Sequence, residues 1–247
     1  MMTSALLPLA VSIALATFDD ESDTPASPPS NGGSLSGRVT YSGPLPPAVL
    51  NPEAATRRQP VEVDPESKGL REAAVWVAGA AIDDRSSSPV ADDAEPIVVD
   101  QVNFEFLPHV LTVEAGRPVE FLNNDVANHG VTASGSTVAN RFNVTTPPGG
   151  SYVHRFQTAR QPVPIGCPVH VAMSAWVFVF DHPFHTVTDD RGQFRLDGLP
   201  PGRHTLFVHH PDGGLRRRIE VEIRDGETTE LDIPFVAEDL RPPSRRP

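Results

Sequence analysis

Residues 185–235 read HTVTDDRGQFRLDGLPPGRHTLFVHHPDGGLRRRIEVEIRDGETTELDIPF, and their pattern decides the fold class. Asp190-Arg-Gly192 turns into Gln193-Phe-Arg-Leu196, where polar and apolar residues alternate strictly. Pro200-Pro-Gly-Arg203 turns into His204–Val208, and Asp225-Gly226 joins two further alternating runs. A period of two sends successive side chains to opposite faces of a strand. The Gly, Pro and Asp residues at the breaks are those that tight turns between strands require.

The same texture extends upstream. LSGRVTYSG at Leu35–Gly43, AAVWVAG at Ala73–Gly79, Pro96–Asp100, Phe104–Phe106, Val110–Val113 and Pro118–Asn123 read as strands, as do Ser151–Phe156 and Ser174–Phe180. Residues 54–69 form a polar patch with no clear assignment, Asp83–Glu95 a polar loop, and Ser134–Gly150 a long loop rich in Thr, Asn, Pro and Gly. No long stretch has helical periodicity. With 27 prolines and 18 glycines in 247 residues, the expectation is an all-β chain of two antiparallel β-sandwiches.

The termini read differently. The apolar run Ala5–Ala16 is too short to span a bilayer and ends in the small-x-small triplet Ala14-Leu15-Ala16. It reads as a secretory signal over 1–16, although no Lys or Arg precedes it, with the acidic, Pro/Ser-rich residues 17–34 as a tether. That predicts a periplasmic or extracellular protein with no stable membrane insertion after cleavage. The tail 238–247, rich in Pro and Arg, reads as disordered. A formal charge of −12 argues against nucleic-acid binding and for a basic partner. No G-x-S-x-G, H-E-x-x-H, P-loop or dinucleotide motif is present, so no catalytic function is expected.

The lone cysteine lies in IGCPVHVAMSAWVFVF, residues 165–180, with His170 three places on and Met173 six. In an oxidising compartment a structural cysteine normally has a partner, so an unpaired one is either buried or coordinated. Copper sites of the blue type use two imidazoles, a thiolate and a distant thioether. Cys167, His170 and Met173 supply three of these four. His129, on a polar turn after a strand in FLNNDVANHGV, is suited to be the fourth. Zinc is the rival ion, but a thioether is a poor zinc ligand. Each residue alone also reads as core. His109 reads as a supplementary group or an ordinary hydrogen-bonding histidine, His182 and His185 as structural residues, and His209-His210 as solvated.

Two resemblances are carried by these residues. The pattern T-D-x-x-G-x-F-x-L-x-G-L-P-P-G-x-x-x-L-x-V from Thr188 to Val208, with Gly37-Arg-Val-Thr-Tyr-Ser-Gly43 far upstream, resembles the carboxypeptidase regulatory-like domains, small transthyretin-like sandwiches. The two halves are separated, so a second domain is expected between them. That segment resembles the cupredoxins, with the ligand-loop spacing of amicyanin. Glu120-Phe-Leu-Asn-Asn124 stands ahead of the upstream histidine. The whole chain is similar to exported bacterial proteins that combine the two, through Phe106-Leu-Pro-His-Val110, Asn124–Thr132, the cysteine loop and Asp181-His-Pro-Phe184. Departures are Val171-Ala172 in place of Pro-Trp and Thr132 in place of a second histidine.

The resemblance implies a domain order of 35–95 and 182–237 for the regulatory-like sandwich and 96–181 for a cupredoxin-like Greek-key insert. It implies His129, Cys167 and His170 as equatorial ligands and Met173 as the axial one, holding one copper ion. The function so expected is single-electron transfer with a basic redox partner such as a cytochrome. Copper capture or delivery without redox turnover, and a metal-free cell-surface interaction module, are the alternatives.

Overall fold

The computed structural model describes residues 32–79, 82, 90–159 and 161–241. The expected signal segment, all but the last three residues of the tether, and residues 242–247 of the tail lie outside the described residues. Eighteen strands and two short 3₁₀ turns make up the regular structure among them. The chain opens with β1 (Gly33–Ser42), a small hairpin of β2 (Val49–Asn51) and β3 (Thr56–Arg58), and β4 (Ala74–Ala78).

Nine strands follow: β5 (Ile97–Val102), β6 (Glu105–Leu107), β7 (Val110–Glu114), β8 (Pro118–Asn123), β9 (His129–Ser134), β10 (Arg141–Thr146), β11 (Ser151–Arg155), β12 (Val163–Gly166) and β13 (Ser174–Phe180). The last five are β14 (His185–Val187), β15 (Gln193–Leu199), β16 (Gly202–His210), β17 (Leu215–Ile223) and β18 (Thr228–Val236).

These strands form two sandwiches. The first sets the sheet β15-β1-β18 against β14-β4-β16-β17, and the second sets β10-β9-β12-β13-β7 against β11-β8-β5-β6. All strands of the second sandwich thus lie in sequence between β4 and β14 of the first. The all-β, two-sandwich expectation holds, with most pairings antiparallel. Three pairings are parallel, β1 with β18, β5 with β8 and β7 with β13, because chain returning from a distant element joins each sheet there.

Alternation gives each sandwich its own core. Leu35, Val39 and Tyr41 of β1 meet Leu206 and Val208 of β16 and Ile233 and Phe235 of β18. Val99, Val119, Phe121, Phe156, Ile165 and Val177 fill the second, together with Cys167 and Met173. Burying a large apolar side chain contributes about 1.5–3 kcal/mol, so these clusters dominate the stability. A third, smaller cluster of Ala74, Val110 and Phe178, with Trp76 and Trp176 packed on it, joins the sandwiches.

That junction also has a polar centre. Asp212, after β16, accepts from Arg58 Nη1 at 2.6 Å and Trp176 Nε1 at 2.9 Å, and lies 2.9 Å from His109 Nε2. Burial alone would raise the pKa of this carboxyl. The hydrogen bond and charge of His109, with the Arg58 guanidinium, hold it well below the usual carboxylate range.

Four expectations are corrected. The loop placed at 134–150 contains β10, an edge strand with Arg141, Asn143 and Thr145 outward and only Phe142, Val144 and Thr146 turned in. Its polar face and the flanking Pro-Pro-Gly-Gly concealed the alternation. His209 and His210 are buried, not solvated, because β16 continues past Val208 as a central strand between β4 and β17. Residues 238–241, read as tail, pack back. Arg217 pairs with Asp239 at 3.0 Å, and the Arg241 amide donates to Gly213 O. Gly33 and Ser34, read as tether, belong to β1.

Candidate metal centre

Two neighbouring strands build the centre. In β9 and β12, Ala133 faces Ile165 and Thr132 faces Gly166. Continued by two residues, that register sets Gly130 against Pro168, where an added Cβ would lie 2.5 Å from Pro168 Cδ. His129, the first residue of β9, and Cys167, just past β12, are therefore brought together. The loop from Cys167 to Met173 closes on itself, with the Met173 amide donating to His170 O at 2.9 Å and the Cys167 amide to Met173 O at 3.2 Å. This turn folds His170 back over the cysteine.

His129, Cys167 and His170 present ligand atoms that all lie within 4.8 Å of one another. The two Nδ1 atoms are 2.9 Å apart, and Cys167 Sγ is 3.6 Å from His170 Nδ1. Donors each about 2.0–2.3 Å from one ion stand about 3–3.7 Å from each other, so the cluster matches the span of a single ion. His129 and Cys167 are buried and His170 is partly exposed. Met173 is buried in the same core cluster as Cys167.

The surroundings prepare the donors. His129 Nε2 is 3.1 Å from Asp125 Oδ2. Burial tends to raise the Asp125 pKa, but the Phe104 and Val126 amides and His129 outweigh it, so the group is held ionised. An ionised carboxylate accepts, so Nε2 carries the proton and Nδ1 presents its lone pair to the cluster. The Gly130 amide donates to Cys167 Sγ at 3.3 Å, which fixes the sulfur's position beside the two imidazoles. The Phe104 ring meets His129 and His170 edge-on, with centroids 5.5 and 5.0 Å away, and shields both from water.

Phe104 is itself fixed at both ends. Its amide donates to Asp125 Oδ2 at 2.7 Å, and its carbonyl accepts from Asn51 Nδ2 at 2.9 Å. Behind the loop, Asn123 Nδ2 donates to Ala127 O and Thr146 O and its Oδ1 accepts from the Asp125 amide. A cysteine sulfur, two imidazoles and a largely buried, hydrogen-bonded surround can coordinate a metal ion. His109 stands apart from the cluster, bonded to Asp212. Asp125, Asn123, Gly130, Phe104 and Asn51 were not singled out in the sequence. Asn124-Asp125 carried a signal in its closeness to His129, whereas Asn51 lies on a remote hairpin and carried none.

A family model for the carboxypeptidase regulatory-like domain matches residues 171–236. The chain carries a carboxypeptidase regulatory-like domain. No curated protein matches the sequence. Among solved structures, a copper-containing nitrite reductase from Thermus scotoductus is 25% identical, with a TM-score of 0.33, over 38% of this chain and 25% of that one. The chain therefore spans about a quarter of that reductase. A reduced Cu(I) form, at pH 4, of an amicyanin mutant is 24% identical with a TM-score of 0.31, over 37% of this chain and 86% of that one. A purple cupredoxin from Nitrosopumilus maritimus is 18% identical with a TM-score of 0.29, over 34% of this chain and 99% of that one. Beside the regulatory-like domain stands a second sandwich, a four- and a five-stranded sheet with the His, Cys and His donors at one end. No helix among the described residues is long and apolar enough to cross a membrane.

Proposed function

We propose that the second sandwich is a mononuclear copper domain of the type 1 kind and that the protein is an exported electron carrier, not a catalyst. The observation that carries this reading is the convergence of His129, Cys167 and His170 within 4.8 Å. His129 and His170 would hold the ion through Nδ1 and Cys167 through its thiolate, with Met173 as a weak fourth donor. This soft, mixed set suits copper better than zinc, which prefers four imidazole, thiolate or carboxylate donors. Bound copper would supply one-electron exchange between Cu(II) and Cu(I).

The protein's own residues support that chemistry. The Gly130 amide shares the charge of the thiolate, Asp125 holds the His129 tautomer, and Phe104 keeps water away. His170 is the least covered donor, and the exposed Val126, Val169 and Val171 beside it form an apolar face for a partner. Electron-transfer encounters are small and weak, and a net charge of −12 would steer a basic partner towards this protein.

The test is a visible spectrum of the purified protein after addition of Cu(II), with Cys167→Ala as comparison. An intense thiolate-to-copper band, absent from the variant and bleached and restored through reduction and reoxidation, is expected. No band in the folded wild type would overturn the copper reading. A band that cannot be cycled would move the assignment to copper capture or delivery.

A further inference from the structure

A groove of about 550 Å³ opens between the first sandwich and β13. Its floor is one row across three strands, in which Trp76 faces Phe207 and Phe207 faces Arg218. Trp76 and Phe207 are stacked, with centroids 5.3 Å apart and planes at 10°, and Phe180 of β13 tilts against Trp76 at 5.4 Å. Residues two apart on a strand share a face, so Arg216 and Arg218 rise beside this aromatic floor together. The Arg218 guanidinium carbon lies 6.0 Å from the Phe207 centroid.

The charges at this rim are open. Arg216 Nε donates to His209 Nε2 at 3.2 Å, and Arg216 pairs with no carboxylate among the described residues. Burial, with Arg216 and His210 nearby, lowers the pKa of His209 to about 3, so it stays neutral and accepts that bond. Among the described residues the one carboxylate that Arg218 pairs with is Glu220, at 3.2 Å, and both side chains are more than two-thirds exposed. Such hydrated pairs exchange readily. Two arginines in this state, in a chain of formal charge −12, call for a negative ligand. Asp181 on the opposite wall leaves the charge only one end at which to sit.

We propose that this groove binds a small ligand in which a carboxylate is attached to a flat apolar ring face. The carboxylate takes the planar forks of Arg216 and Arg218, which match its two oxygens, and the ring lies on Phe207 and Trp76. The volume falls within the range of small-ligand sites. The shared chemistry covers two sources, an aromatic acid and an acidic sugar. The proposal makes no use of the metal centre and stands or falls apart from it.

Isothermal titration of the full chain with benzoate and with digalacturonate tests it, with benzamide as the uncharged counterpart of benzoate. At least one acid is expected to bind, tenfold or more tighter than benzamide where that acid is benzoate. Arg216→Gln and Arg218→Gln, both on exposed side chains and checked for an unchanged thermal midpoint, should each weaken it fivefold or more. Binding of benzoate alone assigns an aromatic acid, and of digalacturonate alone an acidic sugar. Absence of binding by both acids, benzamide binding as well as benzoate, or arginine variants that bind like the wild type would each overturn the proposal.

Discussion

His129 shows how much one residue's behaviour depends on neighbours distant in the chain. Its ligand atom is made available by Asp125, four residues back, and its cover by Phe104, which Asn51 holds from another hairpin. Asp125→Asn keeps the shape and removes the charge that orients the ring. It should weaken metal binding about 10–100-fold in a competition titration, while the fold survives. Gly130 is constrained by closeness. A Cβ there would press on Pro168 Cδ at 2.5 Å, and the Gly130 amide itself donates to Cys167 Sγ. Gly130→Ala should lower stability by about 1–3 kcal/mol in urea unfolding and shift the thiolate-to-copper band. The donor types and the Cys–His–Met spacing were legible in the sequence. The supporting shell was not, because its members come from three separate segments.

Among elements, strand β13 links the centre to the scaffold. It leaves the ligand loop at Ser174, and two residues on Trp176 donates to Asp212 of the first sandwich while its amide bonds His109 O. Removing the carboxylate in Asp212→Ala strands the His109 and Trp176 side chains and leaves Arg58 with Glu72 alone, in a largely buried site. Loss of one partner from such a cluster costs about 3–5 kcal/mol, so the urea midpoint should fall well below that of the wild type. Most strands announced themselves by alternation, and β13 was bounded correctly at Ser174–Phe180. The edge strand β10 did not, because an edge needs only one apolar face, and Asn and Thr on the other imitate a loop. The short β2 and β3 were also missed. Three residues are too few for a period, yet that hairpin reaches the metal centre through Asn51.

Across the whole molecule, buried histidines tie stability to pH. Burial, the largest cause in each case, brings the pKa of His185 to about 4, His209 to about 3 and His210 to about 4. In the unfolded chain they titrate near the ordinary value, about 6.5. Their contribution is therefore present in full above pH 6.5 and is lost as the pH falls towards 3–4, because only the unfolded chain takes up the protons. Each should add a slope of about 1.4 kcal/mol per pH unit within that window. The thermal midpoint is expected to drop steadily between pH 6.5 and 4, and His210→Gln to flatten the drop by about a third. The sequence by itself determined the all-β class, the two-sandwich organisation and the candidate donors, because these follow from local periodicity and from residue chemistry within short spans. Only the tertiary structure decided that Asp212 clamps the sandwiches, that Asn51 supports Phe104 and that two arginines border an aromatic groove. Those contacts depend on strand register between segments far apart in the chain, which no local pattern encodes.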